Sequence, residues 1–122
     1  MRRFVKVAVG AVVFGLGCSS STSPAGGTQG PGADQVFMQN TAFSPATRTV
    51  AAGTLVTWMN KDGFTHTVTS SSVPAGAATF SSGAVGGGGQ FQVTFATAGT
   101  YQYYCTIHGS PGAGMHGTVV VQ

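Results

Sequence analysis

Between residues 35 and 122, short runs rich in Val, Thr, Phe and Tyr alternate with clusters of Gly, Pro, Asn and Asp. Runs of this length and composition, separated by turn residues, predict an all-β sandwich. The expected strands are Gln35 to Asn40, Thr47 to Val50, Thr54 to Asn60, His66 to Ser70, Gln90 to Phe95, Thr100 to Cys105 and Gly117 to Gln122. Side chains alternate between the two faces of a strand, so Val56 and Trp58 share one face and Tyr101, Tyr103 and Cys105 share another. By the same count Met38 joins Val36 in the core, Met59 lies opposite Trp58 and is partly exposed, and Phe43 and Phe95 are core. The stretch Val73 to Gly89 holds a run of four glycines and reads as a loop, with a short edge strand around Thr79 to Ser81. No long helical pattern and no repeat of fixed period appears.

The first residues follow a different pattern. Arg2, Arg3 and Lys6 are set around an apolar run from Val5 to Leu16 that is shorter than the ~20 residues a membrane span needs, and small residues follow, which predicts a signal peptide over 1–17. Cys18, after Gly15, Leu16 and Gly17, resembles the lipid-bearing cysteine of a bacterial lipoprotein processing box. Residues 18–34 are Ser, Thr, Gly and Pro with little to bury, the composition of a flexible tether. The expected product is an exported protein of the bacterial periplasm or envelope surface, touching the membrane only through a lipid at Cys18.

Removing the leader changes the charge. It carries three of the five Lys and Arg residues, which leaves Arg48 and Lys61 against Asp34 and Asp62. The remaining domain is formally neutral, and with no basic patch it is not expected to bind nucleic acid.

The chemistry concentrates in "YYCTIHGSPGAGM", Tyr103 to Met115. If Cys18 is used for lipidation, Cys105 is the domain's lone thiol: an inert hydrophobe, a nucleophile or a metal ligand. A nucleophile needs a base, an orienting partner and an oxyanion site, and the domain's two acids lie away from this loop. As a metal ligand, Cys105 has His108 and Met115 nearby, with His66, His116 and Met59 as further candidates. Two imidazoles, a thiolate and a weak thioether form the ligand set of a blue-copper electron-transfer site. Zinc more often takes Cys₄, Cys₃His or Cys₂His₂ sets, without methionine.

Four segments carry a resemblance: "FSP" at Phe43 to Pro45, "GTLVTWMNKDGFTHTV" from Gly53, "GTYQYYCTIH" from Gly99 and "MHGTVVV" from Met115. Together, in this order, they resemble the cupredoxins, closest to the plastocyanin and amicyanin group, over roughly Val36 to Val121. The resemblance implies a Greek-key β-sandwich of about seven to eight strands. It implies one type 1 copper ion held by His66, Cys105, His108 and Met115, with His116 in solvent and Tyr104 at a position associated with a second electron exit. The implied function is one-electron transfer between redox partners such as cytochromes, by a monomer that is not an enzyme. The alternative is periplasmic copper binding or delivery through the same residues.

Two departures from the family pattern stand out. Six residues, "GSPGAG", separate His108 from Met115 where two to four are usual, which raises the question of whether Met115 or His116 takes the axial place. Consecutive residues on a strand point to opposite sides, and an outward bulge of the extra residues keeps Met115 facing inward. Ile107 stands where many relatives have proline, adding a backbone N–H close to the sulfur. For docking, neutrality points to an uncharged surface around His108, formed by Phe64, Pro111 and Ala113.

Overall fold

The computed structural model describes residues 31–122; the expected signal peptide, Cys18 and all but the last residues of the expected tether lie outside them. Eight strands form two four-stranded sheets, and no helix occurs among the described residues. The strands are β1 (Gln35–Gln39), β2 (Ala42–Ser44), β3 (Thr47–Val50), β4 (Thr54–Asn60), β5 (Thr69–Ser72), β6 (Gln90–Phe95), β7 (Gly99–Ser110) and β8 (Ala113–Val121). One sheet has the order β2-β1-β4-β6 and the other β3-β8-β7-β5. The β1–β4 and β3–β8 pairs are parallel and the rest antiparallel.

The inner faces are those the alternation predicts. Val36, Met38, Val56, Trp58, Tyr101, Tyr103, Cys105, Val119 and Val121 are all buried, while Met59 is half-buried. Trp58 on β4 spans the gap between the sheets, with its ring 5.3 Å from Tyr103 on β7 and edge to face with it. Phe80, Phe91 and Phe95 surround the same indole at 6.0, 5.9 and 6.1 Å. Offset and edge-on aromatic contacts of this kind add to area burial, and they make the sheet-to-sheet spacing under the site stiff.

Three strands, β3, β4 and β6, span the residues the sequence pattern predicts. The expected strand from His66 to Ser70 instead begins at Thr69. His66 exchanges both backbone hydrogen bonds with Val85, at 3.0 and 2.8 Å, Thr69 bridges Ser81, and Ser70 donates to the Phe80 carbonyl at 2.9 Å. The glycine-rich connection therefore returns along this segment at Phe80 to Val85 and takes the pairing that a sheet neighbour would supply. β2 was not legible as a strand. It is three residues long, follows a tight turn at Asn40 and Thr41 with φ of 55 and 58°, and leans on β1.

Candidate metal centre

The site lies where the β7–β8 ladder breaks. Tyr104 pairs with His116 and Gly109 with Gly114, so Cys105, Thr106, Ile107 and His108 on β7 stand against Met115 alone on β8. A bulge of this kind re-aims side chains that a regular ladder would send to alternate faces. The extra residues of the "GSPGAG" segment are zipped into a hairpin finger, with Ser110 paired to Ala113 across a Pro111–Gly112 tip. Gly112 there has a φ of 75°. Proline followed by a residue with positive φ is turn chemistry that glycine meets without strain.

Both partners of the axial question are where the alternation predicts: Met115 is buried at 2% exposure, and His116 is exposed, its Nδ1 2.9 Å from the Gly114 carbonyl. Cys105 and His66 are fully buried. His108 is half-buried, and its neighbours Ile107 in the chain and Phe64 across the site are exposed, as is Pro111 at the finger tip. The Phe64 ring sits 5.0 Å from His66 and 5.5 Å from His108 and covers the gap between the two imidazoles.

Three donor atoms converge. Cys105 Sγ lies 3.8 Å from His66 Nδ1 and 3.7 Å from His108 Nδ1, and the two Nδ1 atoms are 3.2 Å apart. In a triangle with those sides, the equidistant point is about 2.1 Å from each corner, within the roughly 2.0–2.3 Å of metal bonds to imidazole nitrogen and thiolate sulfur. One ion fits among these three groups without rearrangement. They are the single such cluster among the described residues.

The surroundings favour a thiolate. Burial pushes the Cys105 thiol up, but the Thr67 amide, 3.3 Å from Sγ, together with the Ile107 amide and the His108 ring and amide, outweighs it and brings the group down to about 6. The Ile107 N–H inferred from the missing proline is thus among the groups that stabilise sulfur as the anion. Thr67 also ties the two ligand segments together: its Oγ1 accepts from the Thr106 amide at 2.7 Å and is 2.9 Å from Thr106 Oγ1.

Sequence reasoning placed both of the domain's acids away from the site and passed over Asn60, Thr67 and Thr106. Asp62 Oδ2 is 2.7 Å from His66 Nε2. Asn60, buried, donates from Nδ2 to the carbonyls of Phe64 at 2.8 Å and Val85 at 2.9 Å, and so fixes the loop that presents His66. The available signal was spacing, since an acid four residues before a candidate ligand can fold back onto its imidazole across a turn.

Residues 33–122 match the family described as "Copper binding proteins, plastocyanin/azurin family". The plastocyanin of Scenedesmus fuscus is 40% identical over 86 residues, which cover 66% of this chain and 86% of that protein. Among solved structures, an oxidised amicyanin variant superposes with a TM-score of 0.63 and 32% identity over 75% of this chain and 83% of its own. The copper-containing nitrite reductase of Thermus scotoductus SA-01 gives a TM-score of 0.65 and 26% identity, over 82% of this chain but 24% of the enzyme. A two-sheet fold, a His-Cys-His cluster of metal-binding dimensions and a family match over the whole described domain agree: the chain belongs to the plastocyanin/azurin family of copper-binding proteins.

Proposed function

We propose that this protein is a one-electron carrier in which His66, Cys105, His108 and Met115 would hold one copper ion. The observation that carries this reading is the triangle of donor atoms already at metal-binding separations. A single copper ion held there supplies the Cu(II)/Cu(I) couple. The chain's own contribution is rigidity: the Thr67–Thr106 tie, the His66–Val85 pairing and the Trp58 cluster hold the donors in place whichever charge the centre carries. A site that changes little on gaining an electron exchanges electrons quickly.

His108 is the exit, because it is the ligand whose ring reaches the surface. Around it Phe64, Ile107, Pro111 and Ala113 form an uncharged, largely apolar face suited to brief docking with a redox partner such as a cytochrome. Delivery of copper to another protein would require His66 and Cys105 to exchange ligands with that protein. Both are fully buried, which favours carrying electrons over handing on the metal. The protein is not an enzyme in this reading: the likeness to nitrite reductase spans only 24% of that chain, and no second cluster of metal ligands occurs among the described residues. Export through a leader at 1–17 with lipid attachment at Cys18 places the carrier at a membrane surface on an 18–34 tether.

The test is a titration of the metal-free protein with Cu(II). An intense visible sulfur-to-copper charge-transfer band and a narrow copper hyperfine splitting in EPR are expected, both lost in Cys105→Ala. A colourless Cu(II) complex of the folded protein refutes the assignment.

A further inference from the structure

Asp62 is the acid that the proposed function leaves without a role. Its Oδ2 lies 2.7 Å from Nε2 of the fully buried His66. The carboxylate is itself gripped: the Asn40 amide donates to Oδ1 at 2.9 Å and the Thr41 amide to Oδ2 at 3.1 Å. Those two residues hold left-handed φ values of 55 and 58°. A β-branched threonine rarely adopts this conformation, and it points both N–H groups at one carboxylate. From the other side, the Asp62 amide donates to Asn60 Oδ1 at 2.9 Å.

Taking His66 and His108 as ligands, as proposed above, we infer that Asp62 is the positioning residue of the centre: it holds the His66 proton on Nε2, keeping Nδ1 bare for the metal, and leaves His108 as the imidazole that must move its proton. An ionised carboxylate can only accept a hydrogen bond, and a neutral imidazole has one N–H to give. Donors converge on both oxygens of the Asp62 carboxylate, the Asn40 and Thr41 amides and the His66 ring, so the carboxylate serves as the acceptor. With its proton on Nε2, His66 presents a lone pair at Nδ1, 3.2 Å from Nδ1 of His108. Two facing lone pairs repel, so in the metal-free protein His108 donates from Nδ1. Loading the site then asks nothing of His66. His108 gives up its Nδ1 proton and takes one at Nε2, a change of tautomer with no change in net charge, at the ring edge nearest the solvent.

An ionised partner behind an imidazole also raises its basicity as a ligand, which favours the more highly charged copper state. The test begins on metal-free protein by ¹⁵N-resolved NMR of the imidazoles. The expected result is a slowly exchanging proton on His66 Nε2, a bare His66 Nδ1 and a proton on His108 Nδ1. In Asp62→Asn the anionic acceptor is lost while the shape is kept. Cu(II) affinity is expected to fall about 10–100-fold, with Cu(I) affinity falling less. Each tenfold selective loss of Cu(II) binding raises the reduction potential by about 59 mV for a one-electron couple. Asp62→Ala should give the same direction, and Asp62→Asn serves where the alanine variant does not fold. A proton on His66 Nδ1 in the metal-free protein, or a folded Asp62→Asn with unchanged Cu(II) affinity and potential, overturns the inference. Because tautomers are read without metal, they report on Asp62 even if the wild-type protein were to fail the copper titration, so the two readings fall separately.

Discussion

Gly109 offers the sharpest perturbation of the proposed axial residue, because its backbone lies against that of Met115. A Cβ placed on Gly109 would stand 2.5 Å from the Met115 carbonyl oxygen, 2.6 Å from its nitrogen and 2.9 Å from its carbonyl carbon. These are backbone atoms in the paired strand, with no flexible side chain to swing aside. To restore a separation of about 3 Å, β8 must retreat by roughly half an ångström at the residue that carries the thioether, and overpacking of this kind costs about 1–3 kcal/mol. With a urea slope of about 1–3 kcal/mol per molar for a small domain, Gly109→Ala should lower the unfolding midpoint of the metal-free protein by roughly 1 M. Gly112→Ala is the control. It lies at the finger tip with nothing within 4 Å of the added carbon, and meets only the cost of its φ of 75°, about 1–2 kcal/mol. Both variants should therefore be destabilised. Only Gly109→Ala should also shift the copper absorption spectrum and reduction potential, through the displaced Met115. Identical spectra and potentials in the two variants, with both folded, would show that the ladder at Gly109 does not set the axial position.

Thr67→Val removes a hydroxyl that accepts the Thr106 amide; leaving such a donor without a partner costs about 1–3 kcal/mol, and Thr67→Ser should recover most of it in the same denaturation assay. Met115→Leu is expected to keep the blue colour and raise the reduction potential, because losing a weak donor destabilises Cu(II) more than Cu(I), while His116→Ala leaves colour and potential unchanged; the reverse pattern moves the axial role to His116. Electron transfer to a partner should change little between low and physiological salt, since steering depends on charge and the face around His108 carries none; a tenfold fall in stopped-flow rate would contradict the docking surface.

Much of the fold was legible because its strands are amphipathic in the plainest way. Thr54 to Asn60 alternates through Val56 and Trp58 and is a strand over the expected residues. What pattern could not supply was pairing. His66 looks like the first residue of a strand, yet its partners are Val85 and the glycine-rich return, a neighbour that composition marks as loop. β7 and β8 run further than expected because glycines that signal a loose bulge allow two backbones to close on each other, as Gly109 does against Met115. The candidate ligands stood out in the sequence because metal chemistry restricts residue types. Asp62 was not, since an aspartate before a glycine reads equally well as a turn, and only the folded chain shows where its oxygens point.

The second sheet places β8 between β3 and β7. Thr47 pairs with Thr118 and Val50 with Val121, so the partner of an early strand is made about seventy residues later. At about 5–20 residues per second, β3 waits several seconds for β8, the strand that pairs with it, completes this sheet and carries Met115. Until β8 has left the ribosome, Tyr103 lacks the Gly117 neighbour opposite it, and the β7 segment that carries Cys105 is without its paired strand. The centre therefore matures only after translation has passed the last strand.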